Sequence, residues 1–281
     1  MVDDLMRAVT PEETAVHLEA LDARGYCRVE GLMTRATVAR VRMLVDGLWA
    51  RLAGVRYDGL PADRTASDRL VFNLQARDKL FVDLLVDPLL KRVLMAKLND
   101  PYYGPLPPEA PNYILGYYNA RSSGPAPVRL HIDSIIPAPG ERTWAVQVVF
   151  ALDDQGRANG CSVVVPGSHR SGRYTDRAST EVVALEARAG DVVIWDSRLW
   201  HGALGNASGA SRWALIATLQ MWWIKQKMDI TRSLPDEIYR ALTDEQKQLL
   251  GFLSIPPRDE RDGIQTKRGY EALKATVADY R

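Results

Sequence analysis

The sequence predicts a β core, a sandwich or barrel, with helices at both ends. Three observations predict it. From Asn112 onward the chain breaks into short runs rich in Val, Ile, Tyr and Trp, separated by Gly, Pro, Asn and Asp. That texture is the mark of many short strands joined by turns. The first hundred residues read mainly as helices, and a helical pattern returns after Trp223. No internal repeat, low-complexity tract or linker stands out. The expected organisation is therefore a single domain over 1–281, with a helical part at 1–111, a β core at 112–223 and a helical and loop part at 224–281.

Taken in order, Thr34 is placed to cap a helix whose apolar residues Val38, Val41, Val45, Leu48 and Trp49 recur at helical spacing. A second apolar helical stretch runs from Asp78 to Leu98, broken or kinked at Pro88. Between them, 55–69 is polar and turn-rich and reads as a loop. Strands are expected at 113–119, 128–133, 144–152, 162–165, 182–185, 192–195 and 213–222. The turns between them are explicit: Asp153-Asp154-Gln155-Gly156, Asn159-Gly160, Pro166-Gly167-Ser168 and Ala189-Gly190-Asp191. Further on, Pro235 starts a helix, Thr243 with Gln246 forms a capping box for the next, and 255–267 reads as a loop.

Composition narrows the class. A hydrophobic content of 46% and a charged content of 25% are those of a globular chain. The net charge of +1 argues against nucleic-acid binding, which normally needs a strong basic excess. No apolar run reaches the length of a membrane span, and the acidic, mixed N-terminus lacks the regions of a signal peptide. Cys27 and Cys161 are the two cysteines, so no disulfide framework is expected and a reducing, cytoplasmic setting is the default.

The chemistry concentrates in His131, Asp133 and His201. Residues i and i+2 of a strand share a face, so His131 and Asp133 can reach one ion together, and a second strand can supply His201. Two imidazoles and one carboxylate, with the opposite face open, are the ligand set of non-haem iron(II) oxygenases. Taken alone, a His-x-Asp triplet is a common coincidence. Arg212, eleven residues beyond His201 at the start of the next apolar strand, adds weight. An iron site of this type draws extra electrons from a 2-oxo acid, and a planar guanidinium pairs bidentately with the far carboxylate of 2-oxoglutarate. Arg212 by itself would read as a surface arginine.

His131-Ile-Asp133, the run from Asn159 through Pro166-Gly-Ser-His169, Gly190-Asp-Val-Val-Ile-Trp195, His201-Gly and Arg212 together resemble the phytanoyl-CoA dioxygenase family. The resemblance spans roughly 112–222 and implies a double-stranded β-helix, the cupin-like jelly roll. It also implies iron(II) as the metal, 2-oxoglutarate as co-substrate and dioxygen as oxidant. His131, Asp133 and His201 then match the iron ligands, and Arg212 the residue that binds the co-substrate. Halogenating members carry Gly or Ala at the carboxylate position, so Asp133 favours hydroxylation or a related oxidation.

The remaining candidates divide between site and scaffold. The resemblance aims Val149 into the pocket and hence Gln147 too, where it can bond co-substrate or substrate; the alternative is a solvent-facing glutamine on an edge. Asn112, Tyr113 and Tyr117 precede the metal motif, where co-substrate contacts arise in the family, although tyrosines there also fill cores. His169 reads as a structural corner, His17 as helix packing, and Trp195 and Trp200 as packing with Trp200 beside the ligand His201. Lys225, Lys227, Arg232, Arg258, Arg261, Lys267 and Arg268 read as a solvated mixed face. The sharper alternative is that Arg258 lines the pocket and receives an anionic small-molecule substrate, against which Asp259, Glu260 and Asp262 stand. Two rival functions remain open at this stage: a cupin-like metal enzyme that uses no 2-oxoglutarate, and a non-catalytic β-sandwich binding protein. Substrate identity and oligomeric state are not legible.

Overall fold

The computed structural model describes residues 5–52, 68–134, 136–138, 140–175, 181–257, 259–261 and 269–280. The chain divides into two compact units, Met1–Phe72 with Asn119–Ala217, and Asn73–Tyr118 with Thr218–Arg281.

The first unit carries the β architecture. Its strands are β1 (Tyr26–Val29), β2 (Arg69–Phe72), β3 (Ile114–Ser122), β4 (Val128–His131), β5 (Ala145–Ala151), β6 (Ser162–Val164), β7 (Val183–Leu185), β8 (Val192–Asp196), β9 (His201–Ala203) and β10 (Trp213–Gln220). β3 begins, and β10 ends, in residues of the second unit. A six-stranded sheet runs in the order β1-β8-β5-β10-β3-β2, and a four-stranded sheet in the order β4-β9-β6-β7. From β3 to β10 the chain changes sheet at every step except the β6–β7 hairpin. That alternation is the jelly roll, with β1 and β2 added to the edges of the larger sheet.

Side-chain alternation explains why these strands pair as they do. All seven residues of β5 are buried, as are all five of β8, because each strand packs on both faces. One face of β5 and β8 supplies Val149, Ala151, Val193 and Trp195 to an apolar cluster shared with Val164 of the smaller sheet. On the other face the helix α1 (Pro11–Arg24) lies against β1 and β8, and α2 (Arg35–Leu52) brings Trp49 edge-on to Trp213 at 6.3 Å between ring centroids. Thr34 caps α2 as expected, accepting from the Thr37 amide at 3.2 Å.

Three strands escape the sequence reading. β1 interrupts the region expected to be helical, β2 includes Arg69 from the expected loop, and β9 is only three residues long. Residues 55–67 of that loop lie outside the described residues. His-Gly-Ala has little strand propensity; β9 forms because β4 and β6 flank it on both edges. Gly202 makes this close fit possible, since a Cβ there would lie 2.5 Å from the Val128 carbonyl oxygen.

In the second unit the helices Lys79–Asp83 and Pro88–Leu98 are both N-capped by aspartate. The Asp87 carboxylate accepts from the amides of Leu89 and Leu90, so Pro88 opens a helix where the preceding one has ended. The Thr243–Gln246 capping box is present, and the Gln246 side chain also donates to Asp83 at 2.7 Å. Trp222 donates to Asp100 at 3.0 Å and its ring meets Tyr103 at 4.9 Å. No helix among the described residues is long and apolar enough to cross a membrane.

Gly202→Ala is expected to lower unfolding stability by about 1–3 kcal/mol, the usual cost of forcing an extra methyl into a packed site. Urea denaturation followed by circular dichroism measures it.

Candidate metal centre and co-substrate pocket

β4 and β9 are antiparallel neighbours, and their register sets His131 directly opposite His201. Directly opposed residues in such a pair project to the same face, and here the two rings lie 4.2 Å apart between centroids. Asp133 follows two residues after His131, where the chain has left the strand. Its peptide is held by the Ser197 carbonyl, which accepts from the amides of Asp133 at 2.9 Å and Ser134 at 3.0 Å. The carboxylate then lies between the imidazoles, with Oδ1 3.7 Å from His131 Nε2 and Oδ2 3.2 Å from His201 Nε2. One ligand atom from each residue falls within 4.8 Å of the others, close enough for a shared ion.

The backbone also fixes which nitrogen faces the ion. His131 Nδ1 bonds the Arg129 carbonyl and His201 Nδ1 the Leu199 carbonyl, each at 2.9 Å. With the proton on Nδ1, the Nε2 lone pairs are directed at the Asp133 side. Burial alone would raise the Asp133 carboxyl, but the charge and hydrogen bonds of His201 and His131 outweigh it and hold it far below the usual carboxylate range. Burial likewise pulls the His131 imidazole down, and the bond to Asp133 outweighs that and raises it. The cluster thus favours positive charge at its centre, which a divalent cation supplies. The donor set fits iron(II).

Arg212 immediately precedes β10 of the larger sheet and is 4% exposed. Its amide donates to Ser122 Oγ at 2.8 Å, Nη1 donates to Gln155 Oε1 at 2.9 Å, and Nη2 donates to Ser123 Oγ. Among the described residues no carboxylate forms an ion pair with it, and its Nε is buried without a hydrogen-bond partner. Burial first, and the nearby Arg121 cation second, bring its pKa down to about 10, so it stays charged at neutral pH. A buried cation held only by neutral groups is costly unless an anion completes it.

Of the other residues singled out, Gln147 is 1% exposed and lies opposite Trp195, whose ring is 5.1 Å from that of His201. It shares its strand face with Val149 and Ala151 of the internal apolar cluster, so the solvent-facing alternative is ruled out. Tyr113 is buried in the second unit, where burial, with a contribution from Glu245, pushes its hydroxyl pKa well up. Asn112 bonds the backbone of Asp100, and Tyr117 lies under the Lys227 ammonium at 5.5 Å. His169 bonds the Asp22 carbonyl at 3.2 Å, the structural corner expected of it, and His17 faces Glu13. Trp200 donates its indole N–H to the Arg173 carbonyl. Arg258, Asp262, Lys267 and Arg268 lie outside the described residues.

Several residues escaped the sequence reading. On β3, Asn119 and Arg121 alternate with the small Ala120, which puts both on one face. Arg121 Nη2 pairs with Asp68 at 2.5 Å, while Arg121 Nε and Asn119 Oδ1 are buried without partners, as is Gln155 Nε2. Orphaned buried polar atoms of this kind mark a place for a polar ligand. The available signal was the pair of polar residues at i and i+2 in an otherwise apolar strand.

A jelly roll that sets two histidines opposite each other on one sheet with an aspartate just beyond them, and buries a guanidinium at the start of a strand of the other, fits the class of iron- and 2-oxoglutarate-dependent dioxygenases. The family model for phytanoyl-CoA dioxygenase matches residues 21–214, and the chain belongs to that family. Dioxygenase af480 of Aspergillus fumigatus is 25% identical over 98% of this chain and 88% of its own length. Among solved structures, HygX of Streptomyces hygroscopicus, with nickel, 2-oxoglutarate and hygromycin B bound, is similar at a TM-score of 0.59 and 18% identity, covering 78% of this chain and 90% of that one. The 2-oxoglutarate-dependent epimerase SnoN from nogalamycin biosynthesis gives a TM-score of 0.59 at 20% identity, over 75% of this chain and 84% of its own. These two likenesses are of fold. Family membership sets aside the non-catalytic binding protein and the enzyme that uses no 2-oxoglutarate.

His131→Ala and His201→Ala are each expected to abolish stoichiometric binding of iron(II), measured by anaerobic equilibrium dialysis. Asp133→Ala is expected to retain weak binding, because both imidazoles keep their backbone bonds.

Proposed function

We propose that the protein hydroxylates a C–H bond of a small organic molecule, with His131, Asp133 and His201 holding iron(II). Arg212 receives the far carboxylate of 2-oxoglutarate, assisted by Gln147 and by Ser123, Gln155, Asn119 and Arg121. The observation that carries this reading is the buried Arg212 guanidinium, without an ion-pair partner among the described residues, on the same unit as the His-Asp-His cluster. When bound, iron(II) with 2-oxoglutarate and dioxygen supplies an oxidant able to break a C–H bond, with succinate and carbon dioxide as co-products.

The chain's own part is orientation and protection. The Arg129 and Leu199 carbonyls keep both Nδ1 protons in place, so the imidazoles present Nε2 throughout. Arg212 supplies a preorganised positive charge with nitrogens already directed by Ser123 and Gln155. Val149, Val164 and Trp195 make an apolar wall behind His201 that excludes water from that side. The His131 side chain is 42% exposed against 7% for His201, so substrate approaches from the His131 side. The small-molecule ligand of HygX supports a small natural-product-like substrate for this chain.

Succinate release from 2-oxoglutarate, screened against a metabolite library with mass detection of one added oxygen, tests the proposal. Succinate that depends on 2-oxoglutarate and rises with one substrate supports it; turnover without 2-oxoglutarate contradicts it. Arg212→Leu is expected to raise KM for 2-oxoglutarate at least about tenfold, the scale of a lost charge-assisted hydrogen bond. Steady-state kinetics across 2-oxoglutarate concentrations checks this.

A further inference from the structure

The link between β8 and β9 is four residues long, Ser197 to Trp200, and two of its carbonyls act on the metal cluster. Ser197 O receives the amides of Asp133 and Ser134, and Leu199 O receives His201 Nδ1. Arg198 lies between them, and its side chain is 3% exposed, as is that of Asp196. The two form a bidentate pair, Nε to Oδ1 at 3.0 Å and Nη2 to Oδ2 at 2.8 Å. Nη1 donates to the carbonyls of Ala138 at 3.2 Å and Gly140 at 2.7 Å. The Arg198 amide donates to Asp196 Oδ1 and the Thr143 hydroxyl to Oδ2, each at 2.8 Å. Ser197 adds two bonds to the Ala145 carbonyl, from its amide at 3.0 Å and its hydroxyl at 2.7 Å.

We infer that the buried Asp196–Arg198 pair is a positioning brace that sets the placement of Asp133 and His201 by fixing the Ser197 and Leu199 carbonyls. The inference rests on the reading of His131, Asp133 and His201 as metal ligands. A buried ion pair is weak evidence for stability, because desolvation offsets much of its attraction. Here its geometry gives the reason for its presence. Arg198 bonds the chain at 138 and 140, a few residues after Asp133, and Asp196 holds the guanidinium in the orientation that makes those bonds. A turn of the 197–199 peptides would move the acceptor of the Asp133 amide and the acceptor of the His201 ring together. Arg198 touches no reacting atom on this account; it acts through the two carbonyls beside it.

The test compares the wild-type chain with Asp196→Leu/Arg198→Met, which removes both charges and leaves neither orphaned, and with Thr143→Val, which removes one bond to the brace. Two quantities are read without turnover: cobalt(II) affinity by titration, and hydrogen exchange of the Asp133 and Ser134 amides in the metal-free protein. The inference predicts that the folded double variant binds cobalt(II) about tenfold or more weakly, the scale for lost outer-shell contacts, and that both amides exchange faster. Thr143→Val should shift both in the same direction by less. A purely structural pair would lower the unfolding midpoint and leave both quantities unchanged. Wild-type affinity and exchange in a folded double variant overturn the inference. If the double variant does not fold, unchanged values in Thr143→Val overturn it. Failure of the wild-type chain to bind cobalt(II) counts against the metal reading, and amide exchange then decides the brace alone.

Discussion

The pairing of β4 with β9 is the constraint on which the site depends. A shift of one residue in that register would turn His131 or His201 to the opposite face and separate the rings that now lie 4.2 Å apart. Nothing in His-Gly-Ala itself would hold a strand there. The register is maintained by β6 on the other edge, where Val164 faces His201, and by a glycine small enough to admit the Val128 carbonyl. The two sheets of the jelly roll therefore do more than enclose a core. One of them holds His131 and His201 opposite each other, and Arg212 stands at the start of a strand of the other.

A second theme is incompleteness. Among the described residues no carboxylate forms an ion pair with the buried Arg212, and polar atoms of Asn119, Arg121 and Gln155 are buried without hydrogen-bond partners. Each carries a desolvation cost that a scaffold built for stability alone would avoid. The same economy of partners holds Asp133 between two imidazoles, with its carboxyl held in the ionised form. On the proposed reading, stability is given up at these points in exchange for readiness: a metal and a diacid would complete what the fold leaves open. Polar groups at the helix ends are paired closely, as in the Asp87 cap and the Thr243–Gln246 box.

Much of this was legible in the chain. His-Ile-Asp at i and i+2, the distant His-Gly and the arginine beyond it encode residue type and spacing directly, and strands such as 145–151 declare themselves by β-branched content. What escaped was set by tertiary context. β1 and β9 are three or four residues long and form because neighbours accept their hydrogen bonds. Asn119 and Arg121 look like ordinary polar punctuation until the strand face is known. The Asp196–Arg198 pair is hidden for a similar reason, because its partners are carbonyls at 138 and 140, which carry no sequence signature. Substrate identity is absent from both levels, since a fold of this class hosts many substrates.

The most direct test of the central claim, convergence of the three ligands and Arg212 on one ferrous site, is an anaerobic optical titration. Iron(II) is added to the metal-free protein first, then 2-oxoglutarate, and the visible spectrum is followed. The account predicts a charge-transfer band that grows with 2-oxoglutarate and saturates at one iron per chain. Iron uptake at that stoichiometry with no visible band, at any 2-oxoglutarate concentration, would contradict it.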